Sequence, residues 1–66
     1  MAHVWVIEVR VKESPRRWGW WQPMVERVFG EANGATAHHE RMALTDNLGS
    51  SRVQYRVSRY ERKDQG

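Results

Sequence analysis

The stretch that decides the fold is Arg52-Val53-Gln54-Tyr55-Arg56-Val57-Ser58-Arg59-Tyr60-Glu61-Arg62, in a chain of 66 residues. Val53, Tyr55 and Val57 alternate with polar residues, which is the period of two expected for a strand with one buried face and one wet face. No Gly or Pro interrupts the stretch. Because a strand cannot satisfy its own backbone groups, the chain must supply a partner strand.

Residues 3–12 predict that partner. Apolar residues recur at alternate positions and form one face of the strand: Trp5, Ile7, Val9 and Val11. The opposite face is apolar at Val4 and Val6 and charged beyond them. A strand that is apolar on both sides at one end is central in its sheet or covered on its second face.

The middle of the chain allows two interpretations. Glu13–Gly19 contains Ser14-Pro15 and predicts an exposed connection. Trp20–Phe29 has apolar spacing typical of a helix, with Pro23 suited to a first turn. The same segment also reads as the return strand of a hairpin, in which Pro23 lies at an edge or a bulge.

A helix is predicted in the second half of the chain. Residues 30–35 look like a flexible connection, Thr36 is a plausible N-cap, and the helix would run to Leu48. Gly49 would end it in the left-handed conformation. The apolar stripe of this helix is narrow and consists of the following residues: Ala37, Arg41 through its aliphatic stem, Leu44 and Leu48.

We therefore expect one small α+β domain covering residues 1–66. It would hold a three-stranded, mainly antiparallel sheet with one helix on one face, in the order ββαβ, with βαββ as the alternative. The polar residues 61–66 are expected to fray. A single helix covers only one side of the sheet, so apolar residues on the other side would form an interface, including that of a homodimer.

Composition limits the class of protein. Hydrophobic residues make up 39% of the chain, which predicts a thin core, and the absence of Cys excludes a disulfide or a Cys-based zinc site. The net charge is +3 and nine of the eleven basic residues are Arg. No apolar run reaches the roughly 18 residues of a membrane span and no signal-peptide pattern is present, so we expect a cytoplasmic protein without membrane contact.

Three segments carry a resemblance to a known group of proteins. Trp5-Val6-Ile7-Glu8-Val9, Trp21-Gln22-Pro23 and Tyr55-Arg56-Val57-Ser58-Arg59-Tyr60 resemble very small accessory proteins encoded by bacteriophages and prophages. The resemblance implies the order of two strands, a helix and a last strand. It also implies a role in the host bacterial cell, commonly the binding and inhibition of a host macromolecule.

A cluster of aromatic and basic residues is the main candidate site. Trp18, Trp20 and Trp21 lie within four residues of one another, beside Arg16 and Arg17. Indole rings supply large contact area and guanidinium groups add forked polar contacts, as in many protein interfaces. The same set can stack on unpaired bases and neutralise phosphates. Alternatively, one or two of these Trp residues close the core.

Two further groups of residues are candidate sites. Arg52, Arg56 and Arg62 share one face of the last strand and could contact phosphates or a partner, or form cross-strand ion pairs with Glu8 and other acids. His38-His39 does not predict a metal site, because neighbouring helical residues diverge by about 100°. We expect no metal and no cofactor.

The sequence contains no arrangement that predicts catalysis: no Cys nucleophile, no partnered Ser and no phosphate-binding Gly-rich loop. We expect a non-enzymatic protein that docks on a host protein through its aromatic and Arg surface. Nucleic-acid binding through the same surface is the alternative function.

Overall fold

The fold is a small α+β unit in which one long strand is the centre of an antiparallel sheet. The computed structural model describes residues 3–61. The regular elements follow one another as β1 (His3–Ser14), β2 (Arg17–Trp18), β3 (Gln22–Gly30), α1 (Gly34–Leu48) and β4 (Val53–Glu61). A 3-10 turn, Glu31–Asn33, joins β3 to α1. The predicted class, antiparallel sheet and single helix are confirmed, and the two-residue β2 adds a fourth strand.

β1 pairs with every other strand. Along one edge it pairs with β4 without interruption, from His3 opposite Glu61 to Val11 opposite Val53. Along the other edge it pairs first with β3 and then, beyond Val9, with β2. Strand β1 is therefore central, as its apolar start on both faces predicts.

The Trp20–Phe29 segment forms a strand from Gln22 onward and not a helix, which selects the hairpin interpretation. Its pairing with β1 shifts register between Val6 and Glu8, where β1 advances two residues and β3 advances five, from Val28 to Pro23. The extra residues form a bulge at which Val25 is 80% exposed. Pro23 thus lies beside an irregularity on an edge strand, where its missing N–H is tolerated.

The helix starts earlier than predicted. It begins at Gly34 with Asn33 as N-cap, so Thr36 is not the cap and residues 30–35 are not a flexible connection. Trp5 explains the difference: its Nε1 donates a hydrogen bond to the carbonyl of Glu31 at 3.1 Å. An added Cβ on Gly34 would lie 2.9 Å from the same Nε1, so the indole holds the turn against the sheet.

The helix ends at Gly49, but not in the left-handed conformation. Gly49 has φ −70° and ψ 150°, and its N–H bonds to the carbonyls of Leu44 and Thr45. An added Cβ would collide with the Thr45 carbonyl oxygen. Gly49 is therefore required for this close approach of the backbone and not for a positive φ.

Two sheet faces result from this arrangement. The helix packs on the face of Trp5, Ile7 and Val9, because Trp5 contacts both Gly34 and His38. The other face, which we call the open face, carries Val4, Val6, Glu8, Arg10 and Lys12 of β1 with their neighbours on the flanking strands. No helix covers the open face within the described part of the chain.

The apolar core is thin. Among residues 3–61 only four apolar side chains are buried: Val6, Ile7, Ala37 and Leu44. Leu48, which was expected in the apolar stripe of the helix, is 61% exposed. The shape agrees with this, since the radius of gyration is 13.3 Å, against about 11 Å for a compact chain of this length.

Candidate functional site

A row of alternating cations and indoles crosses the open face. Its members are Lys12, Trp18, Arg10, Trp21 and Arg56, and we call this row the Trp/Arg ladder. The Lys12 ammonium lies 5.4 Å from the ring centre of Trp18. The Arg10 guanidinium carbon lies 4.6 Å from the ring centre of Trp18 and 4.7 Å from the ring centre of Trp21. The Arg56 guanidinium carbon lies 4.3 Å from the ring centre of Trp21.

Strand pairing places these side chains side by side. Lys12 pairs with Trp18 across the hairpin, and Arg10 pairs with Gln54 across the β1–β4 edge. The Gln54 side-chain oxygen accepts bonds from Nε and Nη2 of Arg10 at 2.9 and 2.6 Å. The guanidinium is therefore fixed between the two indoles, and each such contact contributes roughly 0.5–2 kcal/mol.

A buried carboxylate lies next to the ladder. Glu8 is only 4% exposed and its side chain bonds to three residues of β4. Arg56 Nε donates to Oε1 at 2.7 Å, the Ser58 hydroxyl donates to the same oxygen, and the Tyr60 hydroxyl donates to Oε2. Tyr60 makes this bond from a position opposite Val4, four residues along β1 from Glu8.

These contacts set the charge of Glu8. Burial raises the pKa of Glu8, but the hydrogen bonds from Ser58, Tyr60 and Arg56 and the positive charge of Arg56 outweigh it, so the pKa falls below its ordinary value. The same hydrogen bond to Glu8, with a smaller contribution from burial, raises the pKa of Tyr60. Glu8 is therefore an anion that its own β4 partners satisfy.

The three clustered Trp residues have different environments. Trp18 and Trp21 are half-buried in the ladder, whereas Trp20 is 88% exposed. A shallow cleft of about 340 Å³ lies between them, lined by Arg10, Arg17, Trp18, Gly19, Trp20 and Trp21. We call this the Trp cleft. The fold thus brings Trp18, Trp20, Trp21 and Arg17 together in one cleft.

The remaining predicted Arg residues have diverse positions. Arg16 is exposed in the turn of the β1–β2 hairpin and does not line the Trp cleft, while Arg17 lies 3.8 Å from Glu13. Arg52 lines a shallow cavity of about 330 Å³ together with Lys12, Ser14 and Ser51. Arg62, with most of the predicted frayed tail, lies outside the described residues, and Glu61 belongs to β4.

The sequence predicts the cross-strand ion pair of Arg56 with Glu8, but not the contacts of Arg10 and Lys12 with the indoles. Glu8, Arg10 and Lys12 alternate along β1 and share its open face, and Arg56 pairs directly with Glu8. The alternation in β1 was visible in the sequence and could have placed three charges in a row. The Trp residues were instead assigned to Arg16 and Arg17, their neighbours in the chain.

The three histidines belong to two elements, His3 to β1 and His38 and His39 to α1. His38 and His39 are both exposed on the helix, and His3 packs edge-on against Trp5 with ring centres 5.2 Å apart. Within residues 3–61, no three side chains of His, Asp or Glu lie close enough together to hold a metal ion. In the same residues no helix has the length and apolar character needed to cross a membrane.

Comparisons with known proteins give no relatives. No family model matches the chain, and neither a curated protein nor a solved structure matches it.

Proposed function

We propose that this chain is a non-enzymatic binding protein that docks on another protein through the Trp cleft and the adjoining Trp/Arg ladder. The observation that carries this proposal is Trp20, an indole 88% exposed beside two indoles that their neighbours hold in place. Exposed Trp next to ordered Trp and Arg is the usual composition of an interface hot spot.

The ladder lowers the entropic cost of binding. Rings and guanidinium groups that are ordered before a partner arrives lose little freedom when it does. Trp18 and Trp21 are fixed by cations on their faces, and Arg10 is fixed in turn by Gln54. The partner would therefore meet a preformed surface.

The charge of this surface favours an acidic partner. Arg10, Lys12, Arg17 and Arg56 lie in or beside the cleft and ladder, and the nearby Glu8 is buried and neutralised by Arg56. Positive potential of this kind steers and orients an acidic protein. The resemblance to phage accessory proteins suggests that this partner is a protein of a bacterial host cell, which the binding would inhibit or modulate.

The proposed absence of catalysis has support in the same geometry. Glu8 is the one described carboxyl group that is buried, and donors from Arg56, Ser58 and Tyr60 occupy its oxygens. A carboxylate with a lowered pKa and satisfied oxygens is a poor proton acceptor at neutral pH.

A capture experiment tests the protein-binding proposal. The immobilised protein is incubated with bacterial lysate at moderate salt, next to the Trp20→Ala and Val25→Ala variants. Both residues are at least 80% exposed, so neither substitution should affect folding. A partner that binds the wild type and Val25→Ala but not Trp20→Ala is the expected result. The proposal is wrong if Trp20→Ala retains every partner of the wild type.

Nucleic-acid binding is the second candidate, favoured by the row of three cations along the ladder. Binding of a labelled single-stranded oligonucleotide should then weaken log-linearly with salt, and Arg17→Ala should reduce that slope by about one. Absence of binding at low salt removes this candidate. A protein interface anchored by Trp20 should respond little to salt.

A further inference from the structure

The backbone of β4 has a fixed orientation relative to its neighbour. Lys12 N–H donates a hydrogen bond to the carbonyl of Arg52 at 2.8 Å, so at this position the backbone groups of the two residues point toward each other. Arg52 directly precedes β4. Every second residue after it, beginning with Gln54, therefore points its N–H and C=O toward β1. The alternate residues point outward, and Val53 shows this, because its N–H and C=O bond to Ser50 on the outer side at 3.3 and 3.2 Å.

The outward groups that follow Val53 are free within the described part of the chain. They belong to Tyr55, Val57, Arg59 and Glu61, and no described strand pairs with this edge. The pairing of β4 with β1 is uninterrupted, and β4 contains no Pro. A groove of about 470 Å³ adjoins the first half of β4 and is lined in part by Arg41, Thr45 and Tyr55.

The opposite edge of the sheet has the features that protect an edge strand. β3 contains Pro23, and its register shifts by three residues where Val25 bulges outward. Proline and bulges are the usual means of preventing one edge from pairing with another chain. β4 has neither, so the two edges of this sheet differ in their capacity to accept a strand.

We propose that β4 is the dimerisation edge and that its occupant is β4 of a second copy of this chain, paired antiparallel about a two-fold axis at Val57. This register sets Tyr55 opposite Arg59 of the second copy and Arg56 opposite Ser58 of the second copy. No like charges face each other, and an aromatic–Arg pair forms twice. Self-pairing uses three of these outward residues, because Tyr55, Val57 and Arg59 are symmetric about the axis. Glu61 would lie opposite Val53, whose outward groups already bond to Ser50.

The thin core explains why a second copy is the occupant. Four buried apolar side chains are few for a chain of this size, and association is the common way for such a chain to gain stability. The two-fold axis is perpendicular to the sheet. Both open faces, and both Trp/Arg ladders, therefore lie on the same side of one continuous sheet, which makes the dimer bivalent toward a repeated partner.

Substitution of Arg59 tests the proposal without removing a backbone hydrogen bond between β1 and β4. Arg59→Pro removes an N–H that points outward, whereas Arg59→Ala keeps this N–H and loses the same charge. Sedimentation should show a wild-type dimer, and Arg59→Pro should weaken it at least about tenfold, which corresponds to roughly 1.4 kcal/mol. Arg59→Ala should remain dimeric or weaken less, and circular dichroism should show that both variants are folded.

Amide exchange of the wild type supplies an independent readout. In the dimer the outward amides of Tyr55, Val57 and Arg59 should exchange slowly, and dilution should release them while the inward amides of Arg56 and Ser58 stay protected. A protein that is still monomeric at about 1 mM, where even a weak dimer with a Kd of that order would form, overturns the proposal. A dimer that leaves the outward amides unprotected, or that Arg59→Pro does not weaken relative to Arg59→Ala, also overturns it.

Discussion

Trp21 and Arg56 meet across the width of the sheet, with 4.3 Å between the Trp21 ring centre and the Arg56 guanidinium carbon. Trp21 directly precedes β3, while Arg56 belongs to β4, and β1 lies between those two strands. The Trp/Arg ladder therefore connects both edges of the sheet to its central strand. The candidate binding surface is also part of what holds the strands together.

Arg10→Gln should loosen this surface and weaken the fold. The substitution removes the cation between Trp18 and Trp21, which we expect to lower the free energy of unfolding by about 1–2 kcal/mol. Denaturant unfolding followed by Trp fluorescence measures it, and the folded-state emission should shift as the rings lose their neighbour. Arg16→Gln, the same change at an exposed turn residue, is the control. Equal midpoints for the two variants would contradict the role assigned to Arg10.

Glu8→Gln should destabilise the protein at neutral pH by about 2 kcal/mol, because charged hydrogen bonds are replaced by weaker ones. The pKa of Glu8 is lowered in the folded state. Its stabilisation is therefore present above the pKa of the unfolded carboxyl and is lost as the pH falls through the folded pKa. The difference in unfolding free energy between wild type and Glu8→Gln should shrink in acid, which urea titrations at several pH values measure.

Tyr60→Phe should remove an alkaline loss of stability. The pKa of Tyr60 is raised in the folded state, so its contribution is present below the unfolded pKa and is lost as the pH rises through the folded pKa. The wild type should therefore lose stability in the alkaline range by a step that Tyr60→Phe lacks. Tyr55→Phe is the control, and it should retain the step. Identical alkaline profiles for wild type and Tyr60→Phe would show that the Tyr60–Glu8 contact does not stabilise the fold.

Gly34→Ala should destabilise the protein although Ala favours helices by about 1 kcal/mol over Gly. The added methyl would lie 2.9 Å from Trp5 Nε1 and 3.0 Å from Cε2, so the indole must move away from the Glu31 carbonyl. Thermal unfolding should show a lower midpoint. Gly30→Ala is a matched control, because an added Cβ there meets no atom closer than 3.8 Å. A higher midpoint for Gly34→Ala would mean that the Trp5 indole can move away without lowering the stability of the fold.

Ile7→Ala should unfold a large fraction of the molecules. Ile7 is 0% exposed and sits on the central strand under the helix, and such truncations cost about 2–5 kcal/mol. Circular dichroism at increasing temperature should show a much lower transition or none. Met42→Ala, at a residue 54% exposed, should leave the transition unchanged. If Ile7→Ala unfolds at the same temperature as the wild type, Ile7 does not belong to the core that stabilises the fold.

The sequence predicted the strands well because their periodicity is a local signal. The alternation from Val53 to Val57 and from Trp5 to Val11 identifies both long strands and their helix-facing sides. The helix boundary was harder to predict, since it depends on Trp5 approaching Gly34 from a distant part of the chain. A tertiary contact overrides the local preference of Thr36 for an N-cap.

The sequence identifies the residues of the candidate site only where they are neighbours in the chain. Trp18, Trp20, Trp21 and Arg17 are close in sequence and close in space. Arg10 and Arg56, which hold two of the indoles, come from β1 and β4 and are joined to them only by the sheet register. Composition alone does not reveal that register, so the sequence associates the indoles with Arg16 and Arg17, their neighbours in the chain, and does not join them to Arg10 or Arg56.

The pairing of β1 with β4 has a consequence for how the protein reaches its native state. About 50 residues separate Glu8 from its partners on β4, and contacts between such remote segments slow folding. During synthesis β1 emerges first among the described strands and β4 last, so a nascent chain exposes the carboxylate and its apolar flank until the ribosome has released the final strand. Assembly of this sheet therefore waits for β4, and a chain stalled before β4 is a natural substrate for chaperones and proteases.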